Sequence, residues 1–347
     1  MKKSIIQLFV ILNCLILCGC ITPYEAMGVD EQADILVVDG IITDDESIIT
    51  LSRSVNLTDA ANYTNIDDAN VYIECDDGTQ WQAEPYFDSS SRNGLYTIKT
   101  GQLNPDRQYR LKIEIEEFDN NSALKTYEYR SDFSYPIKTP EIDSVFWMKK
   151  GKGQPIIINV ATHSPDNQAL YYYWSYREDW EINSEVMSTM YPYYCWNSYS
   201  SRDILLGSAE KTVLGKVTDF ITEIHPSSRK LSVLYRIVVR QNAISKQAYD
   251  YFENVSKNAG NIGSIFASTP SELKGNITCI TDPDRPVIGY VEISFTTQKT
   301  MYIPQSDDVY ERIPPDCMTI DDQVLIICLD CRYHGTEQKP DDWPNDH

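Results

Sequence analysis

Tyr109-Arg110-Leu111-Lys112-Ile113-Glu114-Ile115-Glu116 alternates apolar and charged side chains without a break. Successive side chains of a strand point to opposite faces. This stretch therefore predicts a strand with one face in a core and the other in water. The same period recurs on both sides of it. Ile35 to Val38 is a compact apolar run. Ile49, Leu51 and Val55 alternate with Thr50, Ser52 and Ser54, and Ala69, Val71, Ile73 and Cys75 alternate with Asn70, Tyr72 and Glu74. Asp76-Asp77-Gly78 supplies turn chemistry, and Gln80 to Ala83 returns as a hairpin partner. Tyr127 and Tyr129 continue the pattern. Around seven short strands within about 110 residues are the pattern of a β-sandwich, here expected over residues 34–137.

Pro136 to Pro140 reads as a short stiff linker. A second block follows over 141–333. Ile156, Ile158 and Val160 alternate, residues 170–182 form a long aromatic strand, and Leu231 to Arg240 and Val287 to Thr297 are further strands. Ser245 can cap a helix in which Ala248, Tyr249, Phe252 and Val255 recur at helical spacing and Gly260 is the stop, about 245–259. The expected fold is mainly β. It has two tandem Ig-like or fibronectin-like sandwiches, the second with one α-helix and a long insertion near 183–230, and a polar tail over 334–347.

The N-terminus gives an address. Lys2 and Lys3 precede an apolar run from Ile5 to Leu17, which ends in Leu17-Cys18-Gly19-Cys20. The run is too short to span a bilayer, which takes about 20 apolar residues. A positive start, an apolar core and small residues before a cysteine form a lipoprotein signal. Residues 1–19 are expected to be removed and Cys20 to carry lipid, with 20–33 as a tether. Ile21 rather than an acid follows Cys20, so the expected location is the outer membrane, lipid-anchored. The chain carries 51 acidic and 30 basic residues, a formal charge of −21. That excludes nonspecific binding to nucleic acid.

Six cysteines remain beyond Cys20. In an exported chain they suggest disulfides, and six allow 15 pairings. Cys195, Cys317, Cys328 and Cys331 are the candidate bridging residues, with the pairing open. Cys328-Leu329-Asp330-Cys331 also has zinc spacing, but a second close pair is missing and the compartment is oxidising. The motif follows the strand-like run Val324 to Leu329 with no helix behind it, which argues against thioredoxin chemistry.

Eleven Tyr or Trp residues lie between Tyr171 and Tyr199. Tyr and Trp combine large rigid contact area with a polar tip, which suits interfaces and sugar stacking. Over 171–176 the simpler expectation is a strand packed on both faces. Trp180, Tyr191, Tyr193, Tyr194 and Trp196 are the candidate binding residues, the last four surrounding Pro192 in an expected loop. The acidic pairs match no calcium loop. With four histidines and no hydrolase, zincin, phosphate-loop or dinucleotide motif, no cofactor, metal site or catalytic residue is expected. Two glycosidase carboxylates could still hide among the acids, because the fold sets their separation.

Several phrases occur together and in order. They are Leu36-Val37-Val38-Asp39-Gly40-Ile41-Ile42-Thr43-Asp44, Tyr171 to Trp180, Ser201 to Leu206, Gln241-Asn242-Ala243-Ile244-Ser245, Gly263-Ser264-Ile265-Phe266, Val287-Ile288-Gly289-Tyr290, and Cys328 to Cys331 with Trp343. In these the chain resembles the DUF4249 family of Bacteroidetes outer-membrane lipoproteins. The resemblance implies a non-enzymatic accessory of a TonB-dependent receptor, an outer-membrane β-barrel, and supplies no catalytic residues. Free-standing binding of a glycan or peptide is the alternative expectation, and an envelope hydrolase stands behind it.

Overall fold

The computed structural model describes residues 34–54, 64–88, 91–118, 122–166, 168–212, 215–260, 275–312, 317 and 323–344. The signal, Cys20 and the tether lie outside them. The chain is mainly β and builds two sandwiches.

The first sandwich begins with β1 (Leu36–Ile42), β2 (Glu46–Arg53), β3 (Thr64–Asn65), β4 (Asn70–Cys75), β5 (Gln80–Gln82), β6 (Glu84–Asp88), β7 (Ser91–Lys99), β8 (Tyr109–Phe118) and β9 (Leu124–Ser131). The alternating run that opens β8 does what its period predicts: Tyr109, Leu111, Ile113 and Ile115 are buried while Arg110, Lys112 and Glu114 face outward. Its register lines Ile113 up with Val71 of β4 and Tyr129 of β9, all fully buried in one row. Each such side chain stabilises the fold by about 1.5–3 kcal/mol.

The second sandwich contains β10 (Ile142–Lys149), β11 (Ile156–His163), β12 (Tyr171–Asn183), β13 (Tyr194–Ser200), β14 (Leu205–Ser208), β15 (Lys216–Ile224), β16 (Leu234–Ile244), α1 (Lys246–Gly260) and β19 (Thr296–Pro304), with β17 (Ile277–Cys279) and β18 (Val287–Ile293) preceding β19 in the chain. Its sheets run β10-β11-β15 and β13-β12-β16-β19, with β14 completing the edge of β12 beside β13. Ser245 caps α1, its Oγ accepting from the Ala248 N–H at 3.1 Å.

Three boundaries differ from expectation. First, β17 and β18 do not belong to the second sandwich. β18 pairs in parallel with β1 and β17 pairs with β9, and Ile277, Cys279, Val291 and Ile293 lie in the first core. The first domain is therefore discontinuous, and the expected block 141–333 is interrupted. Second, the supposed insertion near 183–230 supplies β13, β14 and β15, which are structural strands of the second sandwich. Third, Val324 to Leu329 is not a strand. Residues Ile326–Leu329 form one helical turn, and short apolar runs of this length do not distinguish the two by periodicity.

The junction explains why Pro136 to Pro140 is more than a spacer. Ile137 exchanges backbone hydrogen bonds with Ile293 and Phe295. The Thr139 hydroxyl bonds Ser294 at 3.0 Å and accepts from the Ala243 N–H at 2.8 Å. The outgoing and returning crossings thus lie side by side, stitched to both sandwiches.

Close approach fixes one glycine. Gly94 in β7 has φ +63°, and a Cβ there would sit 2.2 Å from the Leu51 carbonyl oxygen. Gly94→Ala is expected to destabilise the protein by about 1–3 kcal/mol through strain and displacement of β2, read as a lower urea midpoint with an unchanged slope.

Cys75 and Cys279 are buried free thiols. They sit on β4 and β17, with β8 and β9 between them. Three strand spacings of about 4.8 Å exceed the roughly 7 Å Cα limit for a bridge.

Candidate partner-contact surface

β12 carries the aromatic run, and both of its faces are covered. On the inner face Tyr172, Trp174 and Tyr176 enter the second core. Tyr172 and Trp174 stack at 5.7 Å, and the Trp174 indole N–H donates to Gln241 Oε1 at 2.9 Å. On the outer face Tyr171 and Tyr173 pack beneath α1, against Tyr249 and Phe252 at 5.0 and 5.3 Å between ring centres. Burial pushes the Tyr173 hydroxyl well above the ordinary tyrosine value. A strand that reads as aromatic throughout is therefore one with two cores to fill.

Further along β12 the outer face turns ionic. Asp179 is fully buried and receives Arg236 Nη2 at 2.8 Å, Arg177 Nη2 at 3.0 Å and the Ser198 hydroxyl at 2.6 Å. Burial alone would raise the Asp179 carboxyl. The hydrogen bonds from Ser198 and Arg236, together with the Arg177 charge, outweigh it and hold the group below the usual carboxylate range. On the other face Glu178 accepts from the Tyr235 hydroxyl at 2.6 Å and pairs with Lys230. Lys230 in turn lies over the rings of Trp180 and Tyr199.

The C-terminal segment lies over this ionic stretch. Cys195 of β13 is bonded to Cys331, and Cys317 to Cys328. The two cysteines of the Cys-x-x-Cys thus go to different partners, and neither sulfur is left as a thiolate for metal or redox chemistry. Trp196 and Thr336 exchange backbone hydrogen bonds at 2.8 Å, extending the edge of β13. Trp343 is buried against Trp196 and Leu234. Its indole N–H donates to Glu181 Oε2 at 2.9 Å, and the Arg236 guanidinium lies over its ring while donating to the Asp341 carbonyl. The tail expected over 334–347 is a strap as far as it is described.

The five candidate aromatic residues are half-buried or buried. Trp196 is not in a loop; it is on β13 and is buried. Tyr194 also belongs to β13. Trp180, Tyr191, Tyr193 and Tyr194 are half-buried. Tyr193 meets Tyr194 edge-on at 4.8 Å and accepts from Asn183 Nδ2 at 3.1 Å. The exposed apolar side chains of this end are others. Val186, Met187 and Met190 on the loop after β12, with Ile326, Ile327 and Tyr333 beside the bridges, are all exposed, Met187 at 72% and Met190 at 80%. The two segments are locked together: the Val186 N–H donates to the Cys328 carbonyl at 3.0 Å and the Cys331 N–H to the Pro192 carbonyl at 3.3 Å. This surface is not legible in the sequence, because methionine and isoleucine are ordinary core residues. The one local signal is an apolar pair, Val186-Met187, set between polar residues.

The surface lies on the second sandwich, whereas Asp34, the first described residue, lies on the first. β1 leads away from Asp34 to the junction at Ile42, and β12 leads from the junction to the loop, where 13 residues at about 3.3 Å each add roughly 43 Å.

No curated protein matches the chain. Among solved structures, a chain from a cytokine receptor complex is similar at 9% identity. The match covers 59% of this chain and 84% of that one, with a TM-score of 0.19, too loose a superposition to argue from. The match that identifies the chain is to a family profile over residues 21–300, and on that span the protein belongs to the family described as a domain of unknown function, DUF4249.

Proposed function

We propose that the protein is an extracytoplasmic lipoprotein, held to the outer membrane through Cys20, that serves as a non-enzymatic accessory of a TonB-dependent β-barrel receptor. The observation that carries the reading is the clamped apolar tip. Two disulfides anchor the segment that carries Ile326, Ile327 and Tyr333, and the Val186–Cys328 backbone bond ties to it the loop that carries Met187 and Met190. Exposed apolar patches on soluble surfaces mark partner sites, and a rigid patch loses little entropy on binding. The strong negative charge keeps such a body from nonspecific association. Glycan stacking has less support, since the candidate aromatic rings are half-buried or buried.

Substituting Met187→Asp and Met190→Asp together is expected to leave stability within about 0.5 kcal/mol, as for other exposed positions. Co-purification of the β-barrel with the lipoprotein from detergent-solubilised membranes should fall by at least about tenfold, since these side chains would anchor the contact. A wild-type lipoprotein that emerges from membranes alone would sink the proposal.

A further inference from the structure

The opposite pole also exposes apolar side chains, and it is the pole at which the chain enters the fold. Asp34 is pinned there: its N–H donates to the Ser54 carbonyl at 2.9 Å, and its carbonyl accepts from Arg53 Nη1 at 3.1 Å. Arg53 also pairs with Glu117, which is shared with Arg285. The residue after Glu117 is Phe118, 75% exposed, paired across the hairpin with Leu124, 60% exposed. Alternation along β9 puts Leu124, Thr126 and Glu128 on one outward face. Ile280, also exposed, joins that face, its N–H donating to the Glu128 carbonyl at 2.7 Å. Phe118, Leu124 and Ile280 therefore share an end with Asp34.

The tether decides what meets this end. Fourteen positions separate Cys20 from Asp34, and no chain of that length spans more than about 48 Å. A bilayer holding acyl chains on Cys20 is thus the surface nearest to Phe118 and Leu124.

We propose that this pole docks on the bilayer, with Phe118, Leu124 and Ile280 in its interfacial layer, so that the body stands with the Met187 tip directed away. The inference rests on Cys20 carrying lipid, as proposed above. Three side chains would not hold a free protein to a membrane. A contact made intramolecular by the anchor needs little intrinsic affinity. The contact is apolar in character: Arg53 pairs with Asp34 and Glu117, Arg285 with Glu117, and Lys125 lies over the Tyr127 ring, so neither anionic lipid nor low salt is required.

The test uses the full-length lipidated protein in phosphatidylcholine vesicles, with an environment-sensitive label on Thr126→Cys or, as the control, on Met187→Cys. Cys75 and Cys279 are buried and do not compete. Doxyl-labelled lipid is expected to cut emission from position 126 about twofold, the response of an interfacial site, and to leave position 187 unchanged. Adding Phe118→Ser and Leu124→Ser should abolish the quenching, and 0.5 M salt should not, as ionic contacts would be screened at about that strength. Absence of quenching at 126 in a protein whose intact mass includes the lipid overturns the docking alone, as does quenching equal at both positions or confined to 187. An intact mass without lipid overturns the anchor and the docking with it.

Discussion

Replacing Cys195 and Cys331 together by serine is expected to lower the unfolding free energy by about 2–5 kcal/mol. The bridge spans 136 positions of sequence, and a loop of that size carries a large closure entropy, about 5 kcal/mol in the polymer estimate. Cys317 and Cys328 are 11 apart, and their loss is expected to cost less, about 3 kcal/mol at most. The first bridge also holds the strap. Without it Thr336 and Trp343 keep only noncovalent holds, and Trp196 and Trp343, both now buried, gain access to water. Red-shifted tryptophan emission before the main urea transition would report this release. A double serine variant with the wild-type urea midpoint would show that the strap stays in place without its covalent lock.

Arg236→Met is the second large effect. Asp179 has no exposed side-chain surface, and Arg236 gives it two of its hydrogen bonds, Nε at 3.1 Å and Nη2 at 2.8 Å. Removing one partner of a buried pair costs about 3–5 kcal/mol, and because Arg177 and Ser198 still hold Asp179 a loss at the lower end, about 3 kcal/mol, is expected. Asp179→Asn with Arg236→Met should cost less than the sum of the two single changes, since the carboxylate charge is then gone. The pH dependence has a fixed sign. Asp179 is held below the usual carboxylate range in the fold. The stability it adds is therefore fully present above the unfolded value near 4 and is lost as the pH falls through the lower folded value. Acid unfolding of the wild type should show this loss, and Asp179→Asn should flatten the curve in that acid window.

The legible parts of the fold are those whose cause is local. Tyr109 to Glu116 is read correctly because a two-residue period needs only one covered face. The helix after Ser245 is read correctly because cap, spacing and stop lie within one segment. β15 is harder. Val217, Ile221 and Ile224 are its buried apolar positions, and a bulge opposite Ile158 and Asn159 breaks their alternation. β12 is legible as a strand, but its two covers, α1 and the strap, come from distant sequence. The same holds at the tip. Nothing within Val186 to Met190 or Ile326-Ile327 separates exposed from buried aliphatic residues. The partner of Cys195 lies far along the chain, so cysteine count alone left all pairings open. The aromatic candidates near Pro192 suit a contact surface because loops favour function, yet the strap covers one side of that segment.

The parallel pair of β1 with β18 bears on how the molecule is made. Synthesis runs from the N-terminus, so Leu36 is made well before its partner Val287. At about 5–20 residues per second the interval is tens of seconds. Throughout it β1 has one unpaired edge and the first core lacks Ile277, Val291 and Ile293. The N-terminal sandwich is thus completed only after most of the second has been made, and the end of the protein that carries Asp34 is the last to close. A cut in the region between Thr139 and Gly275 would leave both fragments sharing one core, and a chain truncated after Ile137 would lack β17 and β18, one edge strand of each sheet.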